Sequence, residues 1–99
     1  MRWDFQVSSA EADDGVRIAA EGRLSAAETP RLVEALTAAI RAGRRRILLD
    51  LNGLDYISSA GILAIQAATA RVQAEGGVLT VENAQPAVRV ALNLAGGQV

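Results

Sequence analysis

Residues 47–61, ILLDLNGLDYISSAG, decide the fold of this chain. Residues 47–51 are a nearly continuous apolar run, which is typical of a central strand buried on both faces. The polar residues 52–55 predict a loop, and the two serines at 58 and 59 predict the start of a helix. We expect this helix to run from about residue 59 to residue 75 and to stop at Gly76 and Gly77.

A further strand and helix are predicted downstream. The helix after the serines has apolar residues around much of its circumference, which is typical of tight packing against a sheet; they are Ile62, Leu63, Ile65, Ala67 and Val72. Residues 78–82, VLTVE, predict a strand. A last helix opens at Pro86 and ends at Gly96 and Gly97; its apolar face consists of Val88, Ala91, Leu92 and Ala95.

An antiparallel hairpin is predicted at the beginning of the chain. Trp3, Phe5 and Val7 alternate with polar residues, which is the period of a half-buried strand. Asp14 and Gly15 form a hairpin turn signal. A second alternating segment follows with Val16, Ile18 and Ala20.

Two starts compete for the first helix. Ser25 and Glu28 have the spacing of a capping box, whereas Thr29 before Pro30 fits an N-cap followed by proline at the first helical position. The first alternative puts Pro30 one turn inside the helix, where its missing N–H costs stability. In both cases Gly43 is the expected C-terminal cap, and one apolar stripe is predicted, formed by Leu32, Val33, Leu36, Ala39 and Ile40.

The element order is therefore β-β-α-β-α-β-α, which predicts an α/β fold with helices packed against a mixed sheet. Strands joined through helices should run parallel, and the hairpin adds an antiparallel edge. The length of 99 residues suits one compact domain over residues 1–99.

The composition excludes several kinds of function. Ten basic and eleven acidic residues give a net charge of -1, which argues against a general nucleic-acid binder. The sequence has no Cys, His or Lys, so the usual zinc sites and catalytic triads are ruled out. We expect no signal peptide, because the first residues contain no apolar stretch, and no membrane helix, because no segment approaches about 18 apolar residues. We expect a cytoplasmic, non-enzymatic protein without metal or cofactor.

The two serines have two physical interpretations. A helix start leaves free backbone N–H groups and the positive end of the helix dipole. Ser58 or Ser59 can therefore act as an N-cap. Alternatively, its hydroxyl can carry a phosphate where an anion is well tolerated.

Residues 49–65, LDLNGLDYISSAGILAI, resemble the signature of STAS domains, the family of anti-sigma factor antagonists and of sulphate-transporter tails. Residues 22–29, GRLSAAET, resemble the first strand-to-helix turn of the same family. Residues 81–83, with the Pro- and Val-containing helix after them, resemble its later strand end. The resemblance covers nearly the whole chain and implies a STAS-like fold.

The resemblance also implies a phosphorylation site. In the antagonist branch the motif commonly reads Asp-Ser-Ser-Gly, and its first Ser is phosphorylated by a partner kinase. Ser58 stands here in the place of the Asp, and Ser59 stands in the place of the phosphoacceptor. Ala60 replaces the second Ser, and Gly61 matches the Gly. The implied acceptor is Ser59, with Ser58 as the alternative.

The resemblance further implies a partner. The unphosphorylated form would bind an anti-sigma factor, a serine kinase with an ATP-binding kinase-like fold, and so release a sigma factor. The docking face is expected in residues 23–29 and in the loop 53–61. The residues named for it are Arg23, Ser25, Glu28, Thr29, Asp55, Tyr56, Ser58, Ala60, Gly61 and Ile62.

Three other functions stay open. A STAS subunit of a transporter or of a stress-signalling complex would share the fold without phosphorylation. A small enzyme using Asp50, Asp55 and Ser59 would have paired carboxylates, but no His, Cys or Lys accompanies them. Nucleotide binding at the serine loop has family precedent, but the chain has no P-loop.

Overall fold

The computed structural model describes residues 5–13 and 15–94. The elements occur in the predicted order and comprise β1 (Phe5–Ala12), β2 (Gly15–Leu24), α1 (Thr29–Arg41), β3 (Arg46–Ile57), α2 (Ser59–Ala74), β4 (Val78–Glu82) and α3 (Pro86–Leu94). The predictions for Trp3, Asp14, Ala95, Gly96 and Gly97 lie outside the described residues.

The four strands form one sheet in the order β1-β2-β3-β4. The β1–β2 pair is antiparallel, and the pairs β2–β3 and β3–β4 are parallel. This confirms the predicted mixed sheet with an antiparallel edge. Because both crossovers move in the same direction along the sheet and crossovers are right-handed, α1 and α2 lie on the same face, where they contact each other.

The hydrophobic core lies between this face of the sheet and the helices. Ile47, Leu49 and Leu51 alternate along β3 and are fully buried, as expected for side chains on one face of a strand. From α1, Leu32 and Leu36 complete the centre of the core. Val88 and Leu92 of α3, which packs against β3, belong to the same cluster.

The second face of the sheet is open, so the prediction that residues 47–51 are buried on both faces is wrong. Leu48 and Asp50 are only half-buried, and Thr80 on the neighbouring strand is exposed. On β2, which is the other strand next to β3, Arg17 and Ala19 are also half-buried. The reason is topological, because both crossover helices lie on the opposite face.

The start of α1 differs from both predicted alternatives. The helix begins at Thr29, and Glu28 is an N-cap whose side chain makes no capping hydrogen bond. Ser25 instead opens a turn, and its carbonyl accepts the Thr29 N–H at 3.1 Å and the Thr29 hydroxyl at 3.0 Å. The capping box is therefore not formed, and Thr29 is the first helical residue rather than the cap.

The end of α1 is confirmed at Gly43, which has φ 80°. Its N–H donates to the Ile40 carbonyl at 3.0 Å, and the Arg44 N–H donates to the Ala39 carbonyl at 3.1 Å. These two bonds form a Schellman motif, in which glycine accepts the left-handed conformation without strain.

Three apolar helix residues predicted to pack in the core face solvent. Val33 of α1 is 40% exposed, Leu63 of α2 is 64% exposed, and Ala67 is also exposed. The remaining stripe of α1 is buried as predicted. Helices that cover only one face of a sheet keep an outer side in solvent, whatever its composition.

Candidate functional site

The strand β3 continues through residues 52–57, so the prediction of a loop at residues 52–55 is wrong. Tyr56 pairs with Arg23 and Ile57 with Leu24, after register shifts that leave extra residues in β3. Such bulges let the polar residues face solvent while Leu54 and Ile57 stay buried. The end of β2 is thereby held beside the two serines.

Ser58 is the N-cap of α2. Its hydroxyl oxygen accepts the Gly61 N–H at 3.2 Å, and its backbone is extended, as expected for a cap. Its own N–H donates to the Leu24 carbonyl at 2.9 Å. The cap therefore joins the helix start to the end of β2.

Ser59 is the first residue of α2 and is exposed. Its hydroxyl makes no hydrogen bond to any residue in 5–13 or 15–94. Because Ser58 does the capping, the Ser59 hydroxyl is available to solvent at the positive end of the helix dipole. The expectation that Ser59 lies at the helix N-terminus is confirmed; its phosphorylation stays a prediction.

Gly61 is buried in the first turn of α2. A Cβ atom added there would lie 2.8 Å from Leu24 Cδ2 and 3.0 Å from Ile57 Cγ1. Glycine thus allows the helix to approach the ends of β2 and β3 closely. Since it is covered, Gly61 supports the site and does not belong to its exposed surface.

Arg23 and Tyr56 form an exposed stacked pair next to the serines. The guanidinium carbon of Arg23 lies 4.4 Å from the centre of the Tyr56 ring, within the range of a cation–π interaction. Tyr56 is nevertheless 40% exposed. The pair presents a flat, amphipathic surface of the kind enriched in protein interfaces.

The turn between β2 and α1 contributes fewer exposed residues to the predicted docking face than the sequence analysis expected. Thr29 is buried, so its assignment to the docking face is wrong. Ser25 and Glu28 are half-buried, and Glu28 pairs with Arg31 at 3.2 Å. The other predicted residues lie near the start of α2; Asp55 is exposed, and Ala60 and Ile62 are half-buried.

Leu63 is an exposed residue that the sequence assigned to packing. It lies one helical turn after Ser59, on the same side of α2. No sequence signal separates it from its buried neighbours, because α2 is apolar around most of its circumference and shows no clear polar side.

Asp50 connects three strands on the open face of the sheet. Its carboxylate accepts the Asn52 N–H at 3.0 Å and the Asn83 side-chain amide at 3.3 Å. Arg17 pairs with Asp50 at 3.2 Å and with Glu82 at 3.1 Å. The Asn52 hydrogen bond, helped by Asn83 and Arg17, lowers the pKa of Asp50 although partial burial opposes the shift. Asp50 is thus an ionised structural group.

We expect this network to make folding stability acid-sensitive. A folded-state pKa below the unfolded value, about 3.9, stabilises the protein above that value, and the stabilisation is lost as the pH falls through the folded pKa. Asp50→Asn should cost about 1 kcal/mol at pH 7. Urea unfolding should show that acidification lowers the free energy of unfolding less for Asp50→Asn than for the wild type.

Asp55→Asn is the matched control, because Asp55 is exposed and has no hydrogen bond within the described segments. The prediction is wrong if Asp50→Asn and Asp55→Asn have the same stability at pH 7 and the same acid dependence.

Two kinds of feature are absent from residues 5–13 and 15–94. No group of three or more acidic side chains there is arranged to hold a metal ion. None of the helices in those segments is long and apolar enough to cross a membrane.

Sequence comparison relates these features to known proteins. Residues 7–98 match the family model described as "Mlab, STAS domain". BtrV of Bordetella bronchiseptica, a protein named as an anti-sigma factor antagonist, is 34% identical over 84 residues. The match covers 84% of this chain and 72% of that protein.

Structural comparison agrees on the fold. An anti-sigma factor antagonist from Mycobacterium paratuberculosis has a TM-score of 0.81 at 19% identity, covering 93% of this chain and 78% of that one. The Bacillus protein SpoIIAA in its phosphorylated form has a TM-score of 0.72 at 21% identity, covering 93% and 83%. The sheet and helices described above are thus those of these proteins.

Proposed function

The chain belongs to the STAS domain family, and from this premise we propose that it is an anti-sigma factor antagonist regulated by phosphorylation of Ser59. In this proposal it acts in the cytoplasm by binding a protein, without catalysis of its own. The partner is an anti-sigma factor that is also a serine kinase with an ATP-binding kinase-like fold. Phosphorylation of Ser59 dissociates the complex with this partner.

The observation that carries the proposal is the division of roles between the two serines. Ser58 caps α2, and the exposed Ser59 hydroxyl makes no hydrogen bond within the described segments. A phosphate on Ser59 therefore breaks no hydrogen bond of the fold. The helix dipole favours the added anion by about 0.3–1 kcal/mol, so the phosphorylated domain stays folded.

The effect on the partner follows from the surface around Ser59. Exposed Arg23, Asp55 and Tyr56 surround the helix start, together with half-buried Ala60 and Ile62. A docked protein covering this surface would enclose Ser59. A phosphate on Ser59 adds about 1.5 to 2 negative charges, and it adds bulk to an interface from which water is excluded. The interface then cannot close without removing this charge from water, which costs free energy.

Phosphate mapping tests the proposal. The protein is incubated with ATP and each ATP-binding anti-sigma kinase of its source organism, and the products are digested and analysed by mass spectrometry. One phosphate is expected on Ser59, and none on Ser59→Ala. Ser58→Ala should still be phosphorylated on Ser59, although loss of the cap costs about 1 kcal/mol of stability.

A second candidate is a STAS subunit of a transporter or stress-signalling complex that is not phosphorylated. Two departures from the antagonist motif favour it, namely Ser58 in the place of the Asp and Ala60 in the place of the second Ser. The same experiment separates the candidates. If no kinase of the organism modifies or binds the protein, the proposed phosphorylation switch is wrong. The function as an unphosphorylated subunit is then the candidate that is left.

A further inference from the structure

Arg23 is an exposed cation beside the serine site, and it has no acidic partner in the described part of the chain. Its guanidinium stacks on the Tyr56 ring at 4.4 Å and makes no hydrogen bond or salt bridge within residues 5–13 and 15–94. A guanidinium stacked in this way keeps its N–H donors free in its own plane. By contrast, Arg31 pairs with Glu28 at 3.2 Å and donates to the Phe5 carbonyl at 2.8 Å.

The backbone holds Arg23 within side-chain reach of Ser59. The Ser58 N–H donates to the Leu24 carbonyl at 2.9 Å, so one hydrogen bond joins the residue after Arg23 to the residue before Ser59. With consecutive Cα atoms 3.8 Å apart, this link limits the distance between the Cα atoms of Arg23 and Ser59 to at most about 14 Å. Extended arginine and phosphoserine side chains and the hydrogen bond between them span about the same distance.

The other charged groups around the serines leave Arg23 available. Glu21 on β2 and Asp55 on β3 are exposed, and neither pairs with Arg23. Glu28 in the turn before α1 is engaged by Arg31. The first turn of α2 has no acidic residue. A phosphate on Ser59 would therefore be a stronger ligand for Arg23 than any carboxylate nearby, because it has up to two charges and three acceptor oxygens.

We propose that Arg23 binds the phosphate on Ser59 and thereby forms the second half of the switch. This inference rests on the proposed phosphorylation of Ser59. In the unmodified protein the donors of Arg23 are free to hydrogen-bond a partner, whereas in the phosphorylated protein they bind the phosphate in a charge-assisted pair. The pair keeps a net negative charge. The partner thus meets an anion at Ser59 and also loses a cation at Arg23.

A phosphorus NMR titration tests the proposal. The protein is produced with phosphoserine at position 59, introduced during translation, and the pH midpoint of its phosphate is measured. A nearby cation favours the dianion and lowers the pKa of the phosphate. We therefore expect Arg23→Gln to raise the midpoint by about 0.5 of a pH unit. The helix dipole acts in both proteins, so the difference reports on Arg23.

The matched controls are two other exposed arginines. Arg31→Gln changes an arginine of the neighbouring helix, and Arg41→Gln changes one at the far end of that helix. Both should leave the midpoint as in the wild type. Arg23→Lys should keep part of the effect, because lysine keeps the charge but loses the planar fork that binds two oxygens. Melting curves confirm that each phosphorylated variant is folded.

A second readout identifies the hydrogen bond directly. In a proton–nitrogen correlation spectrum of the arginine side chains, phosphorylation should shift one Nε–H resonance to higher proton frequency. That resonance should be absent from Arg23→Gln and should keep its position in Arg31→Gln.

Three results would overturn the proposal. They are equal phosphate midpoints in wild type and Arg23→Gln, an equal rise in Arg31→Gln, and an unfolded phosphorylated domain. The measurement uses no kinase and no partner. A kinase that fails to modify Ser59 therefore counts against the proposed function alone, and an unchanged midpoint counts against the role of Arg23 alone.

Discussion

Ser59→Asp is expected to weaken binding to the anti-sigma partner by about tenfold, and phosphorylation of Ser59 by more than about a hundredfold. A phosphate adds up to two charges and three acceptor oxygens, whereas a carboxylate adds one charge and less bulk. About 3 kcal/mol of lost interface energy corresponds to the larger effect. The measurement is isothermal titration of the unmodified, phosphorylated and Ser59→Asp proteins with the partner.

Ser58→Asp is the control that separates position from charge. Aspartate is as good an N-cap as serine, and it restores the residue that the antagonist motif has at this place. This variant adds the same charge one residue away, and we expect it to fold and to bind nearly as the wild type does. Equal affinity of Ser59→Asp and wild type would contradict the switch, and so would an equal loss in Ser58→Asp.

Gly61→Val is expected to destabilise the domain by about 3 kcal/mol. The first added atom would lie 2.8 Å from Leu24 Cδ2, and Leu24 is fully buried and cannot move aside cheaply. Valine is no worse a helix former than glycine, so the loss must come from packing. Since small domains are stable by about 5–15 kcal/mol, the variant should fold but unfold at a clearly lower urea concentration.

Ala70→Val is the control, and it measures how much stability valine costs at an exposed position of the same helix. Its β-branched side chain should cost only about 0.6 kcal/mol. If both variants lose the same stability, Gly61 is not required for close packing. A second readout is the affinity for the partner, which Gly61→Val should also reduce because α2 must shift at the end that holds Ser59.

The helix start at the serines was predictable from local chemistry. A strand of aliphatic residues, a pair of serines and a largely apolar helical segment are each recognised within a few residues of sequence. The family motif then separated the two serines, because it aligned Ser59 with the phosphoacceptor. In the structure the two serines also differ, since only Ser58 accepts the Gly61 N–H.

The surface around the serines was predicted less well. Thr29 was expected in contact with the partner, but its hydroxyl bonds to the Ser25 carbonyl and it is buried. Gly61 is covered by β2 and β3. The exposure of a residue depends on which distant parts of the chain pack over it. The sequence around Thr29 or Gly61 does not indicate these tertiary contacts.

The sequence by itself determined the order of strands and helices, because periodicity, glycine caps and adjacent polar residues act over one or two turns of chain. The tertiary structure decided that residues 52–57 extend β3, since bulges let this polar segment pair with the end of β2. It also decided that one sheet face stays open and that Val33 and Leu63 face solvent. Burial is a property of the assembled layers, and two right-handed crossovers in the same direction place α1 and α2 on one side only.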